Sequence, residues 1–132
     1  MFDRLLITLG LIGLLALGYA VFSWIQRRQA TAAGRRESTA SDGPGRARVL
    51  YFRSDECVSC ATQARLFGEL DQGTLSLIEK VDVDREKDRA AAYNVMTLPT
   101  TVVMDQTGEV KHINYGVVPP RRLKRQLSVA GD

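Results

Sequence analysis

The sequence predicts a small α/β domain carried behind one membrane-spanning helix, on three observations. Leu5 to Ile25 contains no charged residue. After Arg48, short apolar runs rich in β-branched residues alternate with stretches whose apolar residues recur at helical spacing. Between these regions, Gln29 to Ala47 is rich in Gly, Ser and Thr and holds almost nothing large and apolar. The expected division is a flank at 1–4, a transmembrane helix at 5–25, a flexible linker at 26–47, a globular domain at 48–128 and a tail at 129–132.

At 1.5 Å per residue the roughly 21 positions from Leu5 to Ile25 make a helix of about 31 Å, enough to cross a bilayer. Tyr19 and Trp24 lie towards its C-terminal end, Phe2 lies at the other, and Arg27-Arg28 stop it abruptly. A cleaved signal peptide has a shorter apolar region, about 7–15 residues, with a small-residue cleavage site close behind. Ala30-Thr31-Ala32 lies beyond Arg27 and Arg28, so a retained anchor is expected. Arg4 and the terminal amine are partly offset by Asp3, whereas Arg27, Arg28, Arg35 and Arg36 follow the helix. The positive-inside rule then places the C-terminal domain in the cytoplasm. Gly10, Gly13, Ala16, Ala20 and Ser23 form a small-residue face of the kind that lets two membrane helices dimerise. The linker, treated as a coil, has a reach of roughly 25 Å, which would let the domain turn freely.

Val49 to Phe52 is long enough for a buried strand and too short for a helix. From Val58, the apolar positions Cys60, Ala64, Phe67 and Leu70 follow helical spacing, and Asp71-Gln72-Gly73 closes that segment. Leu75 to Val83 reads as a strand, Asp84 to Asn94 as a short helix, and Thr100 to Met104 as a β-branched strand. Asp105 to Gly108 is a turn, so Glu109 to Tyr115 should complete an antiparallel hairpin. Pro119-Pro120 opens a last helix, with Leu123 and Leu127 among Arg121, Arg122, Lys124 and Arg125. Its basic face is read as solvated, with contact to anionic lipid as the alternative.

The chemistry is expected at Cys57 and Cys60, the two cysteines of the 132-residue chain. A strand that delivers Cys-x-x-Cys to the first turn of a helix sets the first sulfur among unpaired backbone N–H groups, where thiolate is favoured. Asp55 and Glu56 oppose that effect. A loop so short would hardly constrain the unfolded chain, so a structural staple is a poor explanation. A closed zinc site needs four ligands, and the one histidine, His112, has no motif spacing to the cysteines, so no metal is expected. Haem attachment requires His after the second Cys, where Ala61 stands. A net charge of +3 with mixed signs, without a basic and aromatic surface, argues against nucleic acid.

This order, with Val49-Leu50-Tyr51-Phe52 before the Cys57/Cys60 pair, Lys80-Val81-Asp82-Val83-Asp84, Tyr93 to Thr100, Gly108-Glu109-Val110 and Gly116, resembles the thioredoxin family. The resemblance covers about Arg48 to Leu127. It implies a thioredoxin-like α/β fold, a central mixed sheet flanked by helices, here shortened at its N-terminus because the family's first strand and helix have no counterpart. It also implies a membrane-anchored thiol:disulfide oxidoreductase in which Cys57 is the nucleophile and Cys60 the resolving cysteine. Pro99 would be cis, and Thr97, Leu98 and Pro99 would meet the substrate chain. Glu56 replaces the family's tryptophan, Val58-Ser59 its Gly-Pro, and Tyr51 its buried aspartate, while Lys80 keeps the lysine; Glu56 and Lys80 are therefore candidates for tuning the thiol pKa. No cofactor is implied beyond the redox-active disulfide. The implied partners are protein disulfide substrates and an upstream thiol reductant or oxidant. Many bacterial single-anchor thiol proteins face outward, so an extracytoplasmic domain on a bacterial inner membrane is the alternative topology. The alternative function is a tethered thioredoxin-like domain that binds a partner without turnover.

Overall fold

Runs of four to six β-branched and aromatic residues bury themselves by pairing, and those after Arg48 do so in one sheet. The computed structural model describes residues 2–40 and 45–132. Among them the elements run α1 (Phe2–Ala40), β1 (Arg48–Arg53), α2 (Val58–Phe67), α3 (Gln72–Leu75), β2 (Ile78–Asp82), α4 (Lys87–Ala92), β3 (Thr100–Met104), β4 (Val110–Tyr115) and α5 (Pro120–Gly131). The strand order is β2-β1-β3-β4. β1 and β2 are parallel, with Tyr51 opposite Lys80, and β1/β3 and β3/β4 are antiparallel.

The central strands are covered on both faces, so their side chains feed two cores. On one, Val49, Tyr51 and Val103 pack with Cys60 and Phe67 of α2 and with Leu123, Leu127 and Ala130 of α5. On the other, Leu50, Phe52, Val102 and Met104 pack with Val81, Tyr93 and Ala30. Burial of an apolar side chain contributes about 25 cal/mol per Å² of area removed from water, so these alternating residues fix the register.

Several boundaries differ from the sequence expectation. The helix that was to end at Ile25 runs on to Ala40, through most of the expected linker; positions 41–44 of that linker lie outside the described residues. Residues 26–40 are mainly Gln, Arg, Ala and Glu, good helix formers interrupted by one glycine, Gly34. Tertiary packing adds to that propensity, because Ala30 is fully buried against the sheet. The free tether is therefore replaced, up to Ala40, by a continuous helix, which docks on the domain at Ala30. Leu75 is not in a strand: Asp71 caps α3, its carboxylate accepting from Thr74 N–H at 3.0 Å, and β2 begins only at Ile78. α4 starts at Lys87 rather than at Asp84, whose N–H instead bonds the Asp82 carboxylate at 3.0 Å in a turn. At the far end α5 continues to Gly131 and buries Ala130, so residues 129–131 belong to the domain and not to a tail.

Candidate active site

β1 ends at Arg53, and four residues later Cys57 is the N-cap of α2. Its backbone is extended, and its Sγ accepts a bond from Cys60 N–H at 3.1 Å. Cys57 is half-buried and Cys60 buried, with their Cα atoms 5.2 Å apart and their sulfurs joined in a disulfide. The first turn of α2 carries no acidic residue, so the partial positive charge of the helix start acts on Cys57 Sγ without an internal counter-charge. Asp55 is ion-paired to Arg53, and the hydrogen bond and charge of that guanidinium hold its carboxyl below the usual carboxylate range. Its opposition to a Cys57 thiolate is correspondingly muted. Glu56 and Val58 stand exposed on either side of the cysteine.

The segment between α4 and β3 completes the site from far along the chain. The Leu98–Pro99 peptide bond is cis. Leu98 and Cys57 pack on the same apolar cluster, which contains Cys60 and Tyr51. Pro99 is buried and its carbonyl accepts from Gly116 N–H at 2.8 Å; Gly116 has φ +86°, a conformation that favours glycine. Thr97 is exposed, and its carbonyl accepts from Thr100 Oγ1 at 2.6 Å. The structure thus gathers Cys57, Cys60 and Leu98 around one cluster. Lys80 is exposed on the edge strand β2, in register with Tyr51.

Two supports of the site were not read from the sequence. Tyr51 is buried, donates its hydroxyl to the Cys60 carbonyl at 2.9 Å and meets Phe67 edge-on, with ring centroids 4.9 Å apart. Burial pushes its phenol pKa up, against a smaller opposing effect of Arg53, so it stays neutral where the family resemblance puts a carboxylate. Gln63 replaces Ala64 on the buried face of α2, which leaves Ala64 exposed. Its amide donates to the Val118 carbonyl at 3.1 Å and accepts from Val118 N–H at 2.7 Å. The signal for Gln63 was its place three residues after Cys60 and four before Phe67, on the same helix face.

No family model matches the chain. It is 37% identical over 79 residues to the thioredoxin of Bacillus subtilis (strain 168), covering 58% of this chain and 75% of that one. It is 28% identical over 81 residues to the thioredoxin of Mycoplasma pneumoniae, covering 61% and 78%. Among solved structures, the reduced thioredoxin pre-protein of Schistosoma mansoni superposes with a TM-score of 0.61 at 26% identity, over 71% of this chain and 88% of that one. The Fasciola hepatica thioredoxin gives 0.60 at 25%, over 71% and 89%. With the Cys57–Cys60 disulfide at the start of α2 and a mixed sheet of matching fold, the chain belongs to the thioredoxin family and is a thiol:disulfide oxidoreductase.

Proposed function

We propose that this oxidoreductase is anchored in a membrane by α1 and reduces or exchanges disulfides of partner proteins through Cys57 and Cys60. The observation that carries the reading is the asymmetry of the pair, half-buried Cys57 capping α2 and buried Cys60 behind it. In the reduced enzyme, Cys57 thiolate attacks one sulfur of a substrate disulfide. A Cys57–substrate bond forms, the substrate S–S bond breaks, and the departing sulfur takes a proton from solvent. Cys60 then loses its proton and attacks Cys57 Sγ, which closes the Cys57–Cys60 bond and releases the second substrate thiolate. Two electrons pass to the substrate, and an upstream thiol reductant restores the dithiol; coupled to an oxidant, the sequence runs in reverse. The disulfide is the redox group, and the reading takes no other cofactor and no metal.

Thr97, Leu98 and Pro99 serve as the surface met by the substrate chain, a role supported by Leu98 packing on the cluster that holds both sulfurs. Glu56, exposed and adjacent to Cys57, tunes its thiol, and Lys80 does so from the edge strand. Tyr51 holds the Cys60 carbonyl, and no Asp or Glu is buried among the described residues, so the Cys60 proton leaves to solvent and not to an internal carboxylate.

Anchoring is supported by Leu6–Ala32, a stretch of α1 long and apolar enough to cross a bilayer, whose leucines and isoleucines stand exposed. The cation Arg28 stacks 3.8 Å from the Trp24 ring centre, an arrangement suited to a membrane–water boundary. The arginines after the span favour a cytoplasmic domain; an outward-facing domain is the alternative. Gly10 and Gly13 have open space around them, which leaves room for a second helix.

Insulin reduction by the full chain in detergent, driven by dithiothreitol, tests the catalytic reading. Wild type should accelerate turnover, and Cys57→Ser and Cys60→Ser should not, with Cys60→Ser accumulating a mixed disulfide through Cys57. Equal rates in all three proteins would reduce the chain to a binding domain. An impermeant thiol reagent on intact cells expressing the reduced protein tests topology, since labelling of Cys57 without lysis would reverse the cytoplasmic assignment.

A further inference from the structure

α1 is not a swinging tether. Ala30 is fully buried with Leu50, Phe52, Val81, Tyr93 and Met104, and Asn94 Nδ2 donates to the Gln26 carbonyl at 3.4 Å. Asn94 holds φ +53°, a left-handed conformation that asparagine tolerates, at the point where α4 turns towards β3. Alongside these contacts lies a groove of about 550 Å³. Tyr19, Phe22 and Gln26 of α1 line one wall, and Met96, Thr97 and Tyr115 line the other. Tyr19 and Phe22 belong to the last two turns of the charge-free run that ends at Ile25, and Gln26 follows it; Thr97 is separated from the cis Pro99 only by Leu98, which packs on the same cluster as Cys57. One end of the groove therefore lies at the C-terminal end of the charge-free run and the other at the loop that leads to Pro99.

We propose that this groove receives an extended segment of a membrane protein, free of basic residues, just where that segment leaves the bilayer, so that the enzyme acts on disulfides held close to the membrane surface. The proposal rests on the reading of α1 as an anchor and of Cys57 and Cys60 as the redox pair, and it names their substrate class. Three observations favour this occupant. The groove is continuous with the loop beside the disulfide through Met96 and Thr97. Its walls mix apolar side chains, among them Met96 at 80% exposure, with the amides of Gln26 and Asn94 and the basic side chains of Arg27 and Lys111, and they include no carboxylate, so a segment free of basic residues fits them. One wall is β4, which pairs with β3 alone among the described strands, so its other edge can take a further strand. Docking at Ala30 also fixes the height of Cys57 over the bilayer, so a cysteine carried far from the surface gains nothing from sharing the membrane.

The test uses the full chain, its Cys57–Cys60 pair first reduced with dithiothreitol and the excess removed, in phosphatidylcholine vesicles with three peptides, each bearing one cysteine as a mixed disulfide with thionitrobenzoate. In the first the cysteine lies a few residues from a hydrophobic transmembrane helix, in the second it lies beyond a long Gly/Ser spacer on the same helix, and the third is soluble. The two membrane peptides share the enzyme's surface equally, so their rate ratio isolates height from co-localisation. Release from the near peptide should be about tenfold faster than from the far one. In Phe22→Ala and Met96→Glu, both at exposed positions, the ratio should fall to about one. A ratio near one in wild type, as expected if only lipid fills the groove, would overturn the proposal; so would a ratio that survives both variants. Failure to turn over even the soluble peptide would overturn the redox reading and the proposal with it, and failure to float with vesicles would overturn the anchor.

Discussion

Gln63 shows how one side chain can couple the catalytic helix to the rest of the fold. It lies in α2 one turn beyond Cys60, and its amide forms two bonds with the backbone of Val118, a buried residue just before α5. A polar residue inside an apolar cluster costs free energy unless every polar atom is paired, and here both amide atoms are. Gln63→Leu should leave the Val118 N–H and carbonyl buried without those partners and lower stability by about 3 kcal/mol, measured by urea unfolding. An unchanged midpoint would mean that solvent or backbone reaches Val118. Tyr51 carries a related lesson. Its substitution for the family aspartate was visible in the sequence, but its bond to the Cys60 carbonyl depends on how α2 lies over β1.

Among the elements, α3 was legible only in part. Asp71 was read as a stop for the preceding helix, and it is also the cap of the next, accepting from Thr74 N–H and Oγ1 while Lys124 of α5 binds it at 2.8 Å. Lys124 first, then the two Thr74 bonds, hold the Asp71 carboxyl well below the usual carboxylate range. A carboxylate depressed in the folded state adds stability above its unfolded pKa, near 3.9, and that stability is lost as pH falls through the folded value. Wild type should therefore exceed Asp71→Asn in thermal stability at pH 6, and the gap should shrink steadily below about pH 4. A gap independent of pH would assign the effect to shape and not to charge. The start of α2 was read more fully, because a strand, a turn and a Cys-x-x-Cys at a helix start are all local in the chain.

At the scale of the whole molecule, the largest departure is α1. Its apolar half was plain from the absence of charge between Leu5 and Ile25. Its second half was read as linker because small and polar residues dominate there, yet helix propensity and one buried methyl group, that of Ala30, hold it on the sheet. Ala30→Asp would put an unpaired carboxylate into that cluster, a change that costs several kcal/mol, on the order of 3–5, unless the helix leaves. The expected outcome is that α1 undocks. Amide exchange over residues 26–32 should accelerate while β1 and β3 stay protected, as hydrogen exchange with mass spectrometry would record; equal protection in the variant would refute docking through Ala30.

The sequence by itself determined the dithiol, its place between a strand and a helix, the cluster of β-branched strands and the apolar span, because each is written in neighbouring residues and their periodicity. Only the tertiary structure decided that Leu98 and Cys57 pack on one cluster, that Gln63 and Tyr51 support the catalytic helix, and that α1 packs on the sheet. Apart from Tyr51 and Cys60, nine positions apart, those contacts join residues tens of positions apart, and their free energy exists only once the sheet has closed and brought them within reach.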